Sequence, residues 1–270
     1  VRHDIVRAAL EYVGIENAVQ IASIADIPAG TGLGSSSAYA VGLLHGLHVL
    51  KRDYVSLETL AEEACHIELD LLQKPIGKQD QYLSALGGFL VLEIDADGTV
   101  HVRRARISAQ TLIQLNANVL FFYTGTSRSA DEILKHQSSA AERNESAVVE
   151  SLHRIKEIGR EILSSVEAGN LTNFGRLLHE HWTTKKKLSP KISDARTDRL
   201  YNIARDCGAL GGKIMGAGGG GFFLFYIEEG HNRLREAMKR ENLREMRYSY
   251  DFEGTKLLLN LFSWRNRQWP

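Results

Sequence analysis

Apolar positions along the chain follow two periods, and the switches between them mark the expected elements. Ile5, Ala8, Ala9, Tyr12 and Val13 recur at near-helical spacing, so residues 2–13 are expected to form a helix that Gly14 ends. Residues 18–25 alternate small and apolar side chains as a strand would, and run into a glycine-rich turn. A second helix is expected over residues 36–50, where Val41, Leu43, Leu44 and Leu47 accompany Ala38, Ala40 and Gly42, residues small enough for close packing. Ser56 and Thr59 then open a third, with Leu57, Leu60, Ala61, Ala64, Ile67, Leu71 and Leu72 on it, and Lys74-Pro75 closes it. Glu62, Glu63, Glu68 and Asp70 decorate that helix as solvated acids would.

Further on, residues 87–94 read as a strand, Asp95-Ala96-Asp97-Gly98 as a hairpin turn and residues 99–107 as the returning strand. Residues 118–123 are a compact apolar strand that enters the polar loop from Thr124 to Ser129, with a helix expected after it carrying Asp131 in its first turn. Helical periodicity dominates residues 145–167, 171–188 and 193–207. A strand over 222–227, a helix over 232–240 and strands near 245–250 and 256–261 complete the pattern. Strands alternating with helices at the start, helices in the middle and strands at the end predict an α+β protein.

A chain of 270 residues can bury a substantial core, as one large domain or two packed ones. Its 33 basic and 33 acidic residues cancel, which argues against a nucleic-acid or membrane-surface partner, since those require a basic excess. Cys65 and Cys207 stand far apart with no CxxC spacing and are expected to be free buried thiols, with a disulfide between them as the alternative. No apolar run reaches the roughly twenty residues of a membrane span, and no signal-peptide core is present, so the expected location is cytoplasmic. The chain begins at Val1, and a native beginning is expected to be missing.

Chemistry concentrates in two glycine loops. Residues 27–44 place Gly30, Gly32 and Gly34 ahead of Ser35, Ser36 and Ser37 and then a helix, the order strand, turn, helix. A helix start offers unpaired amides and the positive end of its dipole, so a phosphate is a natural occupant; a plain N-cap remains the alternative. The Walker pattern and the dinucleotide spacing are both absent there. In the second loop Gly216, Gly218 and Gly221 fit the dinucleotide spacing literally, yet a strand follows where that fold requires a helix. Between the loops, residues 76–82 form a polar run in apolar surroundings.

Together these stretches resemble the GHMP kinase superfamily. Residues 28–38 are similar to its second, ATP-binding motif, residues 213–221 to its third, and Gly77 to Gln81 lies between them. The resemblance implies a ribosomal-protein-S5-like N-terminal domain over 1–125 and a ferredoxin-like C-terminal domain over 126–270, in a cytoplasmic enzyme using ATP and Mg²⁺. It implies that Gly30, Gly32, Gly34, Ser35, Ser36, Ser37, Gly216, Gly218 and Gly219 hold the nucleotide, that Ser36 and Glu68 hold Mg²⁺, and that Asp80 is the catalytic acid–base group. The family's first motif has no counterpart here. Gly77-Lys78-Gln79-Asp80-Gln81, Tyr123 to Arg128 and His181 to Lys185 resemble the branch that phosphorylates the anomeric hydroxyl of heptose 7-phosphate. A substrate already carrying phosphate needs cations, for which Arg128 and Lys185, with Thr124, are the candidates, beside Lys186 and Lys187. The alternatives are a kinase for a neutral sugar such as fucose, and a non-catalytic sugar and ATP sensor on the same fold.

Overall fold

The computed structural model describes residues 2–16, 19–28, 30–126, 133–135, 139, 143 and 145–260. Contacts divide the chain into two compact units that interleave in sequence: residues 1–26, 34–104 and 250–270 form the first, residues 27–33 and 105–249 the second. The chain thus passes between the units four times, near residues 26, 33, 104 and 249.

The first unit begins with α1, Asp4–Val13, which Gly14 ends in the left-handed conformation. Next come α2, Ser35–Lys51, and α3, Leu57–Cys65, whose Ser56 cap accepts from the Thr59 amide. A π-helical stretch, His66–Leu71, continues α3, and α4 spans Gln79–Leu86. Strands β1, Leu90–Ile94, and β2, Val100–Arg104, form an antiparallel hairpin with Leu90 opposite Arg104. Ile5, Ala9, Val41, Leu44, Leu60, Ile67 and Tyr82 form the centre of the core. Burying a side chain such as Leu44 or Leu60 contributes about 1.5–3 kcal/mol.

The second unit is built on an antiparallel sheet in the order β4-β5-β3-β6. Its strands are β3, Val119–Tyr123, β4, Gly211–Ile214, β5, Phe222–Tyr226, and β6, Arg244–Met246. Helices α5, Ala109–Asn118, α6, Ser146–Glu167, α7, Leu171–Lys185, α8, Ala195–Asp206, and α9, His231–Arg240, belong to the same unit. Asn170 and Asp194 cap α7 and α8 through their side-chain oxygens. Trp182, Ile192, Leu200, Ile214, Phe223 and Phe225 are packed in its core.

Two expected strands do not form. Residues 19–25 carry no strand, and Ile24 is wholly exposed; an alternating pattern becomes a strand only where a neighbour supplies backbone partners, and no described strand runs beside it. Residues 256–260 are likewise irregular, with Leu258 exposed. Conversely α4, α5 and β4 arise where no periodicity announced them. The helix expected around Asp131 lies outside the described residues. Cys65 and Cys207 are free and buried, as expected.

Candidate active site

In the first unit, α2 starts at Ser35, with Gly34 as its cap at φ 70°. Gly34 lies so close to α4 that a Cβ there would stand 3.1 Å from Asp80 Cγ and 3.3 Å from its Oδ2. Asp80, in the first turn of α4, is therefore set against the amide-rich start of α2. Burial, and secondarily the charge of Glu68, raises the Asp80 carboxyl above the ordinary range. Among the described residues no hydrogen bond or ion pair engages that carboxylate. Ser36 is exposed at the helix start, whereas Ser37 points inward and is buried.

Glu68 is the most enclosed acid of this unit, with no exposed surface. It lies in the π-helical stretch, whose wider turn buries Ile67 and Glu68 side by side. Ser37 Oγ donates to its Oε2 at 2.7 Å, Gln81 Nε2 donates to the same oxygen at 2.8 Å, and Lys74 Nζ reaches Oε1 at 2.9 Å. Burial would raise this carboxyl, but hydrogen bonds from Ser37, Lys74 and Ser36, and the Lys74 charge, hold it below the ordinary range. Glu68 is thus no solvated surface acid. The hydroxyl and carboxylate oxygens of Ser36 and Glu68 are the hard donors Mg²⁺ takes, and a carboxylate kept ionised in the interior fits a dication. Lys74 already neutralises one of its oxygens. Among the described residues no group of three or more His, Cys, Asp or Glu side chains could hold a metal, so such an ion would rely on few protein ligands.

In the second unit, the first half of the serine loop packs on the third motif. A Cβ at Gly32 would meet the Met215 carbonyl oxygen at 2.8 Å, and one at Gly216 would meet Gly32 Cα at 2.7 Å, so only two glycines allow the loops to touch there. Gly30, Gly218 and Gly219 also have positive φ. The Gly219 amide donates to Ile192 O, and the Gly221 amide to Thr126 O. Thr124 is buried and gives its hydroxyl to Gly221 O at 2.9 Å, so it anchors the loop. The Lys185 ammonium donates to the Gly216 carbonyl, whereas Lys186 pairs with Asp198 at 2.8 Å and Lys187 is exposed. Arg128 lies outside the described residues.

Ser37, Lys74 and Gln81 as a cradle for Glu68 had no assignment from sequence. Gln81 was visible in the Gln-Asp-Gln run, but nothing in spacing says that its amide turns to an acid thirteen residues back.

Residues 3–88 match the GHMP kinases N terminal domain and residues 162–245 the GHMP kinases C terminal domain. The chain is 30% identical over 241 residues to D-glycero-alpha-D-manno-heptose 7-phosphate kinase of Campylobacter jejuni, covering 89% of this chain and 69% of that protein. It is 32% identical over 245 residues to mevalonate kinase of Thermococcus onnurineus, covering 86% and 68%. Its fold matches the crystal structure of a D-glycero-D-manno-heptose 1-phosphate kinase from Bacteroides thetaiotaomicron with a TM-score of 0.71 at 24% identity, over 93% of this chain and 72% of that one. Among the described residues no helix is long and apolar enough to cross a membrane.

Proposed function

The chain belongs to the GHMP kinases, ATP-dependent phosphotransferases with an alcohol acceptor, and from that premise we propose that this sugar kinase converts D-glycero-D-manno-heptose 7-phosphate to its 1,7-bisphosphate. The carrying observation is the Asp80 carboxylate, free of partners among the described residues and packed on Gly34 at the start of α2. Phosphoryl transfer asks the protein chiefly to position and to stabilise charge. Asp80 accepts the proton of the anomeric hydroxyl or orients it, and a carboxyl raised by burial is a stronger base than a free aspartate. Gly30, Gly32, Gly34, Ser35, Ser36 and Ser37, with Gly216, Gly218 and Gly219, bind the nucleotide. Ser36 and Glu68 hold Mg²⁺, which when bound neutralises phosphate charge. Ser37, Gln81 and Lys74 orient Glu68. Lys185 and Arg128 meet the acceptor, and Thr124 anchors the glycine loop through Gly221 O. The division into domains 1–125 and 126–270, and a cytoplasmic location, belong to the same reading.

The test is a coupled assay of ADP release with ATP, Mg²⁺ and, separately, heptose 7-phosphate, L-fucose and mevalonate. Turnover with heptose 7-phosphate and neither of the others is the expected result. Turnover with fucose or mevalonate instead overturns the assignment, and absence of turnover with all three favours a sensor.

A further inference from the structure

Within the second unit a group of cations stands without acids among the described residues. Strand β4 turns Gly211 and Lys213 to one face and Gly212 and Ile214 to the other. A Cβ at Gly211 would come within 2.0 Å of the Gly175 carbonyl oxygen and 2.5 Å of the His179 amide, so α7 lies directly on the face that carries Lys213. The last turns of α7 hold His181 and Lys185, and the Lys213 charge acts on both.

Several other cations of this unit are matched by carboxylates. Lys186 pairs with Asp198, Arg199 with Glu241, Arg235 with Glu245, and Arg154 with Glu157, Glu161 and Glu180. Among the described residues no carboxylate pairs with Lys185 or Lys213. Lys185 instead donates to the carbonyl of Gly216 at the head of the glycine loop. The His181 Nδ1 is buried and has no hydrogen-bond partner. Among the described residues no acceptor takes the amides of Gly216, Ala217 or Gly218 either. Each group is a possible donor, the set has no internal counter-charge, and half-buried like charges repel.

Hydrophobic packing does not account for the set, because methyl-bearing side chains would fill the space without the repulsion. A ligand with about two negative charges and several acceptor oxygens satisfies it. We propose that Lys213, Lys185 and His181 form a receptor for a phosphate group. Two sources exist under the kinase reading on which this rests: the monoester phosphate of the acceptor sugar and the phosphate tail of ATP. Burial, then Lys213, draws the Lys185 ammonium down to about 7, and burial, then Lys213 and Lys185, draws His181 to about 3; an anion relieves both.

The experiment measures binding of heptose 7-phosphate and of a non-hydrolysable ATP analogue, each alone, to the wild-type chain, Lys213→Met, Lys185→Met and Lys213→Arg by titration calorimetry. Losing a charged hydrogen bond should weaken one ligand by roughly 10-fold to 100-fold and leave the other near its wild-type affinity, with Lys213→Arg recovering part of the loss. The ligand that weakens identifies the source. If both Met variants fold, as judged by their melting curves, and bind both ligands as the wild type does, the receptor is refuted. Should Lys213→Met not fold, Lys185→Gln carries the same comparison. A wild-type chain that binds the ATP analogue but neither binds nor phosphorylates heptose 7-phosphate overturns the substrate reading alone, and the nucleotide arm then decides the receptor.

Discussion

Gly34 and Asp80 touch: the glycine that caps α2 lies where a single added carbon would stand 3.1 Å from the carboxyl carbon of the aspartate. The pair joins the start of one helix to the start of another, and it explains why the third glycine of the loop cannot be a larger residue. Gly34→Ala places a Cβ at φ 70° and pushes on Asp80 at once. A loss of roughly 1 kcal/mol or more is expected from the backbone alone, visible as a lower melting temperature. Turnover should fall further than stability explains, because the carboxylate must shift.

Asp80→Asn keeps the shape and removes the base. Turnover should fall by about 10²-fold to 10⁴-fold, the usual contribution of a positioned acid–base group, while affinity for an ATP analogue stays within a small factor. Stability has its own sign. A carboxyl whose folded-state pKa is raised binds its proton more readily in the native protein, so its ionised form weakens the fold near neutral pH and the handicap fades as pH falls through that raised value. The asparagine variant should therefore melt no lower than wild type at pH 7. A variant with unchanged turnover removes Asp80 from the chemistry.

Lys74 is the counter-charge of a carboxylate that water does not reach. Lys74→Met leaves Glu68 with only its neutral donors, and breaking a buried pair from one side costs about 3–5 kcal/mol; Lys74 itself is partly exposed, so the lower end is expected. Glu68→Gln made together with Lys74→Met should recover much of that loss, since the uncompensated charge goes too. Denaturant titration of the two single variants and the double variant measures the coupling. Additive losses would show that the two side chains do not depend on each other.

The glycine loops, the Asp80 segment and the longer helices were legible because each has a local cause: glycine where chains touch, apolar spacing along a helix, a polar run without a surface reason. Glu68 was legible by resemblance only; its total burial was not, because the π-helical stretch that carries it, His66–Leu71, leaves no periodic mark in the sequence. Residues 19–25 and 256–260 show the opposite failure, since alternation states what a strand would bury and not whether a partner strand exists. Strand β4 was missed because Gly211 and Gly212 erase the alternation, although close packing against Gly175 and Phe225 is what those glycines permit. Lys213 stood in plain view inside the third motif, but the absence of an acid beside it among the described residues is a fact of three dimensions.

That absence gives the pH prediction. Burial, then the Lys213 charge, draws the Lys185 ammonium from its ordinary 10.5 to about 7, and burial draws Lys213 down as well. Between pH 7 and the ordinary lysine value the unfolded chain thus binds more protons than the folded one, and stability should rise with pH across that window. Below pH 7 both forms carry the Lys185 proton and this contribution is flat, at its least favourable. Lys185→Met removes one of the two charges, so its melting temperature should climb less steeply from pH 7 to pH 10 than that of the wild type, with the two curves farthest apart at the low end. Added inorganic phosphate at pH 7 should raise the wild-type melting temperature more than that of the variant if it occupies the receptor. Parallel melting curves at every pH would mean that Lys185 already has a counter-charge in solution.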